Sequence, residues 1–264
     1  MASWITDYFP DHTCYVEVFG GGASVLATKE ESKVEVYNDK DGDVVHFFRV
    51  LRDSPHELIR WVKSHPYHKD LHEKFGKAYY AGYRPDDDVE RAGRFLYLRY
   101  SQFAGKYDGY SGFSSSKDST FSVPLQRAAK RVGEFADRFE DVTVENRDWR
   151  GIFDRFDGTE TLFYCDPPYV QEGGALYTND GFDHREFINE LRALDGYWLT
   201  SYTDIPDGLD DFYIASQERV QHMRKGQPDM KKDTRTERLV MNYDPKAVDM
   251  FKPNNQQGLE VYND

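Results

Sequence analysis

The sequence predicts an α/β protein: an open, mainly parallel sheet of nucleotide-binding type, interrupted by an inserted, mainly helical subdomain. Three observations predict it. The apolar run Tyr15-Val16-Glu17-Val18-Phe19 leads into a glycine turn, Gly20-Gly21-Gly22. A second run, Val34-Glu35-Val36-Tyr37, ends in Asn38-Asp39, where α/β nucleotide folds place an acid about 20 residues beyond the glycines. A third, Leu162-Phe163-Tyr164-Cys165, leads directly into Asp166-Pro167-Pro168-Tyr169.

Taken in order, residues 4–8 read as a short helix and 15–19 as the first strand. Strand, glycine turn and a helix over 23–28 would let backbone approach a nucleotide closely, although Gly-Gly-Gly alone also fits a plain tight turn. Asp39 suits ribose hydroxyls; its alternative role is N-cap of a helix over 44–52. Between Ser54 and Phe139 the strand–helix alternation stops. Residues 56–63 and 89–103 read as helices, and Phe95, Leu96, Arg99 and Phe103 have helical spacing, which assigns most of these aromatics to a core. A Gly/Ser/Tyr-rich loop follows at 105–122, then an amphipathic helix at 125–139. The alternation resumes with strands at 142–145 and 162–165, a helix at 183–194 and a strand at 197–201. Residues 212–216 and 238–242 could pair as a closing antiparallel ribbon. The segment from Asp244 onward is polar and reads as irregular.

Composition narrows the function classes. A hydrophobic content of 39% and 19 Tyr with 18 Phe supply a core and leave rings for stacking on a planar ligand. No signal peptide and no apolar run approaching ~18 residues is present, which argues against secretion and membrane spanning. Cys14 and Cys165 both lie in strand-like runs and read as buried free thiols of a reducing cytoplasm. The net charge of −13 fits solubility at high salt and argues against a protein that coats nucleic acid everywhere. Charge is uneven, however. From Arg94 to Arg131 seven Lys/Arg face two Asp, and from Arg219 to Arg238 seven face two Asp and one Glu. A polyanion therefore has two places to land. No metal-ligand cluster appears, and the eight His are scattered.

The chemistry is expected at Asp166-Pro167-Pro168-Tyr169. The prolines lack N–H groups and have fixed φ, so they end the ladder and hold a stiff corner at a strand's C-terminal end. Asp166 and the Pro167 carbonyl could accept both N–H donors of an exocyclic amine on a flat heterocycle, with Tyr169 stacked on the ring. The alternative is a proline-terminated strand with a capping Asp. Hydride transfer has no use for such a corner.

Val-Phe-Gly-Gly-Gly-Ala at 18–23, Tyr-Asn-Asp at 37–39, Asp148-Trp149 and Asp-Pro-Pro-Tyr at 166–169 resemble, in that order, the DNA adenine methylase family (Dam-like, D12 class). These are N6-adenine methyltransferases that use S-adenosylmethionine. Residues 34–53 and 94–100 are similar too, so the resemblance spans roughly 10 to 245. It implies a Rossmann-like class I methyltransferase sheet from residues 1–53 and 140–245, a target-recognition insert at 54–139 and a polar tail at 246–264. Phe19, Gly20, Gly21 and Gly22 would then cradle the methionine part of the cofactor, with Glu17 near its ammonium. Asp39 would bind its ribose, and Asp148, with Trp149 beside it, its adenine. Double-stranded DNA would be the partner, and Arg94, Arg99, Lys106, Tyr107, Tyr110, Lys117, Arg127, Lys130 and Arg131 the residues that meet it. A restriction endonuclease is a candidate second partner.

Two departures stand out. The family's opening Gly-Gly-Lys turn is missing, and Glu17-Val18-Phe19 replaces the usual Glu-Pro-Phe. The resemblance implies direct methyl transfer to a flipped-out adenine in a specific DNA sequence. Other amino targets (N4 of cytosine, adenine in RNA, a protein amide) and a catalytically weak DNA-binding relative lacking Gly-Gly-Lys remain open alternatives.

Overall fold

The computed structural model describes residues 1–102, 109–114, 122–168, 182–220 and 234–251. Its elements, in chain order, are α1 (Ala2–Thr6), β1 (Cys14–Glu17), β2 (Val34–Asn38), α2 (Gly42–Asp53), α3 (Pro55–Ser64), α4 (Lys69–Tyr80), α5 (Asp88–Ser101) and α6 (Ser122–Phe139). They continue as β3 (Thr143–Glu145), α7 (Trp149–Phe156), β4 (Thr161–Cys165), α8 (His184–Ala193), β5 (Tyr197–Tyr202), β6 (Tyr213–Val220) and β7 (Thr234–Met241). The strands form one sheet in the order β3-β2-β1-β4-β5-β7-β6. β1, β2, β4 and β5 pair in parallel, whereas β7 pairs antiparallel with both β5 and β6. Strand order reverses between β1 and β4, and in open α/β sheets ligands bind beyond the C-terminal ends at that switch. The glycine turn leaves β1 there, and Asp166 leaves β4.

The chain divides into two compact units, residues 1–40 with 147–264, and residues 41–146. In the first, every residue of β4 is buried, as a central parallel strand covered on both faces must be. Side chains alternate across the sheet with period two. Val16, Phe163, Cys165, Trp198 and Val240 pack on one face with Ile152 and Phe153 of α7 and Phe187, Ile188 and Leu191 of α8. The registers Glu17↔Tyr164, Tyr164↔Leu199 and Ser201↔Leu239 put those residues on the opposite face. On that side Lys29, 5% exposed, pairs with the buried carboxylate of Glu35. From Asp244 to residue 251 the tail holds turns and one bridge but no helix or strand, as its composition suggests, and it is packed down all the same. Pro10 bridges Met250, His12 stacks on Phe251 at 4.5 Å, and Tyr243 donates to the Tyr8 carbonyl at 2.9 Å. Residues 252–264 lie outside the described set.

The second unit is built from helices. α2, placed by sequence with the nucleotide-binding half, belongs to this unit instead. Its buried face (Val44, Val45, Phe47, Phe48, Val50, Leu51) is apolar and meets α5 and α6, with Phe47 5.8 Å from Phe95 and Phe48 stacked on Phe139 at 4.9 Å. Asp43, in the first turn of α2, accepts from Tyr79 at 2.9 Å and pairs with Arg84 at 2.7 Å and Arg91 at 2.8 Å. Burial pushes the Asp43 carboxyl up, but the hydrogen bonds from Arg84, Arg91 and Tyr79 outweigh it and hold the group at about 2. The chain between α4 and α5 is thereby pinned to α2. Among the described residues no helix is long and apolar enough to cross a membrane.

Candidate active site

The glycine turn is a set of turns rather than the helix expected over residues 23–28. Gly21 and Ala23 have positive φ, +48° and +53°, which breaks any helical run. Two backbone donors of this turn go to carboxylates. Leu26 N–H donates to Glu17 at 2.7 Å, and Gly21 N–H donates to Asp39 at 2.8 Å. The Tyr37 hydroxyl donates to the Gly21 carbonyl at 2.7 Å, and Gly20 N–H to the Asn38 carbonyl at 2.7 Å. The turn is therefore clamped by β2 and by the end of β1.

Gly20 is required sterically. A Cβ there would lie 2.1 Å from the Tyr37 ring, and that ring is fully buried and tethered by its hydroxyl. Gly20→Ala should cost about 1–3 kcal/mol by overpacking. Gly22, with nothing within 4 Å of its Cβ position, should tolerate Ala within about 0.5 kcal/mol. Urea midpoints of the two variants check this, and equal midpoints would refute it.

Asp39 is not the N-cap of α2. Asp41 is, accepting from Asp43 N–H at 2.8 Å and Val44 N–H at 3.4 Å. The half-buried carboxylate of Asp39 instead lies at the glycine turn. Asp148 caps α7, a helix the sequence reading missed, and accepts from the Arg150 backbone at 3.2 Å, the Arg150 guanidinium at 2.8 Å and Lys40 at 3.3 Å. Burial raises its carboxyl, but these donors outweigh burial and keep it below the usual range. Asn38, 1% exposed, positions this segment: its amide exchanges hydrogen bonds with the Arg147 backbone and donates to the Val18 carbonyl at 2.9 Å. The sequence reading quoted Asn38 as part of a motif and gave it no task. Trp149 is 4% exposed and packs edge-on to Phe187 and Phe153, so it sits in the core beneath Asp148. Phe19 is half-buried and packs edge-on to Phe187 at 5.6 Å.

Glu17 is 2% exposed and accepts from the Tyr15 hydroxyl at 2.8 Å as well as from Leu26. Burial lifts its carboxyl to about 8; those two donors pull it down, and the nearby charge of Asp166 pushes it further up. Its contacts with Tyr15 and Leu26 therefore brace the turn from below.

Asp166 stands exposed at the end of β4, Pro167 behind it is buried, and Pro168 is exposed. Ser201 donates to the Asp166 carboxylate at 2.8 Å, and the Ser201 and Tyr164 oxygens lie 3.3 Å apart. Asp166, Tyr164, Ser201, Glu237 and Leu239 line one cleft of about 370 Å³ with Ser24 of the glycine turn and Trp4 and Ile5 of α1. Asp166 and Ser24, two residues beyond Gly22, thus share a cavity on one face of the sheet. Tyr169 lies outside the described residues.

The residues expected at DNA divide into four groups. Arg127, Lys130 and Arg131 are exposed on one side of α6. Arg94 and Arg99 turn inward: Arg94 is 16% exposed, pairs with Glu90 at 2.5 Å and lies over Phe75, and Arg99 donates to Gln102 at 2.9 Å. Tyr110 is exposed on one side and stacks on His72 at 5.5 Å. Lys106, Tyr107 and Lys117 lie outside the described residues, as does most of the second basic stretch. Cys14 and Cys165 are both free thiols.

The chain is similar in sequence to known proteins. Residues 1–203 match the family model of the D12 class N6 adenine-specific DNA methyltransferases. The type II methyltransferase M.CviBI of Paramecium bursaria Chlorella virus NC1A is 25% identical over 232 residues, covering 80% of this chain and 82% of that protein. The type II methyltransferase M1.LlaDCHI of Lactococcus lactis subsp. cremoris is 24% identical, covering 66% of this chain and 64% of its own. The DNA N-6-adenine-methyltransferase of Escherichia phage P1 is 27% identical over 68% of this chain, a match that takes in 24% of that protein.

Proposed function

The chain belongs to the D12 class of N6 adenine-specific DNA methyltransferases, and from that premise we propose that Asp166 and the Pro167 carbonyl grip the amino group of a flipped-out adenine in a specific sequence of duplex DNA. The enzyme transfers a methyl group from a methyl donor to N6 of adenine in DNA. One observation supports the assignment of the site: the exposed Asp166 carboxylate opens into a cleft that Ser24, two residues beyond the glycines, also lines.

S-adenosylmethionine is the donor we assign. The turn suits it, because Gly21 and Gly22 present bare backbone with nothing within 4 Å of their Cβ positions. Phe19, Gly20, Gly21 and Gly22 would hold its methionine part, Glu17 would stand behind them toward the ammonium, Asp39 would take ribose hydroxyls, and Asp148, backed by Trp149, the adenine. Bound there, it supplies an electrophilic methyl carbon on a sulfonium.

The protein's own task is to make a poor nucleophile adequate. The N6 lone pair of adenine is delocalised into the ring. Accepting its two hydrogens at Asp166 and the Pro167 carbonyl favours a pyramidal nitrogen and stabilises the positive charge that develops on it. The buried Pro167 and the fixed φ of both prolines keep these acceptors in place. The target atom is hidden in a duplex, so the base leaves the stack, and Tyr169 is assigned the stacking contact. Residues 41–146 would form the target-recognition unit, with Arg127, Lys130 and Arg131 on phosphates. The type II designation of two relatives adds a restriction endonuclease of matching specificity as a candidate partner.

Sequencing of plasmid DNA after expression tests this reading. N6-methyladenine in one sequence context is expected, and it should vanish in an Asp166→Ala strain. Unmodified plasmid, or methylation at N4 of cytosine, would overturn it.

A further inference from the structure

Ser201 has no assigned task, yet it occupies a defined place beside the reacting corner. β4 and β5 run parallel with Cys165 opposite Thr200, so each strand's next residue, Asp166 and Ser201, emerges side by side at the C-terminal edge. Tyr164 shares their face because side chains alternate. Ser201 is 6% exposed and Tyr164 4%, whereas Asp166 is exposed. An exposed carboxylate at the lip of a cleft would sample several rotamers. The buried hydroxyl 2.8 Å away provides a fixed point.

The proton inventory sets the direction of the chain. A serine hydroxyl has one hydrogen, and a carboxylate only accepts. If Ser201 donates to Asp166, it can only accept from Tyr164, so the Tyr164 proton points toward Ser201 across the 3.3 Å separation. Tyr164 then donates to Ser201 and Ser201 to one Asp166 oxygen, and each bond strengthens the other. We propose that Ser201, backed by Tyr164, is a positioning residue for Asp166: it holds the carboxylate in the orientation that receives the adenine amino group. This rests on the methyl-transfer reading above.

The test uses the full chain in single-turnover methylation of a duplex carrying the methylated context, with calorimetric titration of S-adenosylmethionine and melting temperatures alongside. In Ser201→Ala the carboxylate loses its anchor, and the single-turnover rate should fall about 10- to 100-fold, the scale of a misplacement near 1 Å. The dissociation constant for S-adenosylmethionine should stay within about twofold, because no cofactor contact is removed. Ser201→Thr keeps the hydroxyl and should retain most of the rate. Tyr164→Phe, removing the remoter donor, should slow the reaction less than Ser201→Ala. If Ser201→Ala does not fold, Ser201→Cys, with a weak donor of similar size, replaces it and should show the same selective loss. An inactive wild type would sink the methyl-transfer reading itself. An active wild type with an unchanged Ser201→Ala rate, a Thr variant as slow as Ala, or equal losses in rate and cofactor affinity would overturn the positioning role alone.

Discussion

Asp166→Ala should lower the methyl-transfer rate by about 10²- to 10⁴-fold, the range seen when a group that stabilises developing charge or manages a proton is deleted. Little else should change. Asp166 is exposed, so truncation removes no apolar packing, and the lost hydrogen bond from Ser201 should cost about 1 kcal/mol of stability. The residues that form the glycine turn bond to Glu17, Tyr37, Asn38 and Asp39, so the turn should keep its shape. Calorimetry should therefore find S-adenosylmethionine binding to the variant nearly as tightly as to the wild type. A variant that loses binding and turnover together would reassign Asp166 to the cofactor. A variant that methylates at the wild-type rate would remove it from the chemistry.

The corner at Asp166 was legible in the sequence because every feature that makes it is local: an apolar run, a carboxylate and two prolines in consecutive positions. The parallel strands were legible for the same reason, since a buried parallel strand is a continuous apolar run. The closing ribbon was read too short. β6 and β7 pair over eight residues, from Tyr213↔Met241 to Val220↔Thr234, and most of that register joins polar residues with no apolar pattern to mark it. α4 was missed because its sequence, KDLHEKFGKAYY, buries only His72, Phe75 and Gly76, too few for an apolar stripe. α7 was missed because it is only eight residues long, too short for its apolar spacing to stand out. The pairing of Ser201 with Asp166 depends on register between strands 35 positions apart, which no local pattern encodes. The burial of Glu17 has no local signal: β1 lies between β2 and β4, and the residue is 2% exposed even though its side chain is ionisable.

That burial makes Glu17→Gln the variant with the largest expected effect on stability, and gives the effect a pH dependence of fixed sign. The carboxyl of Glu17 sits at about 8 in the folded chain, against 4.5 as the ordinary value, with burial as the leading cause. Between those values the folded protein holds a proton that the unfolded chain has released. Stability from this group is complete below 4.5 and falls as pH rises, at up to about 1.4 kcal/mol per pH unit, until the folded carboxyl ionises near 8. Gln has no proton to release and retains an oxygen for the Leu26 N–H and the Tyr15 hydroxyl. The stability of the Gln variant relative to wild type should therefore grow by a few kcal/mol between pH 5 and pH 8.5. Asp43 does not blur the comparison: its carboxyl, at about 2, contributes stability that is lost only as pH falls through that value. Urea unfolding of both proteins at the two pH values measures the difference. Parallel pH profiles would mean that Glu17 is already ionised at neutral pH, and that a cation or water reaches it in the folded protein.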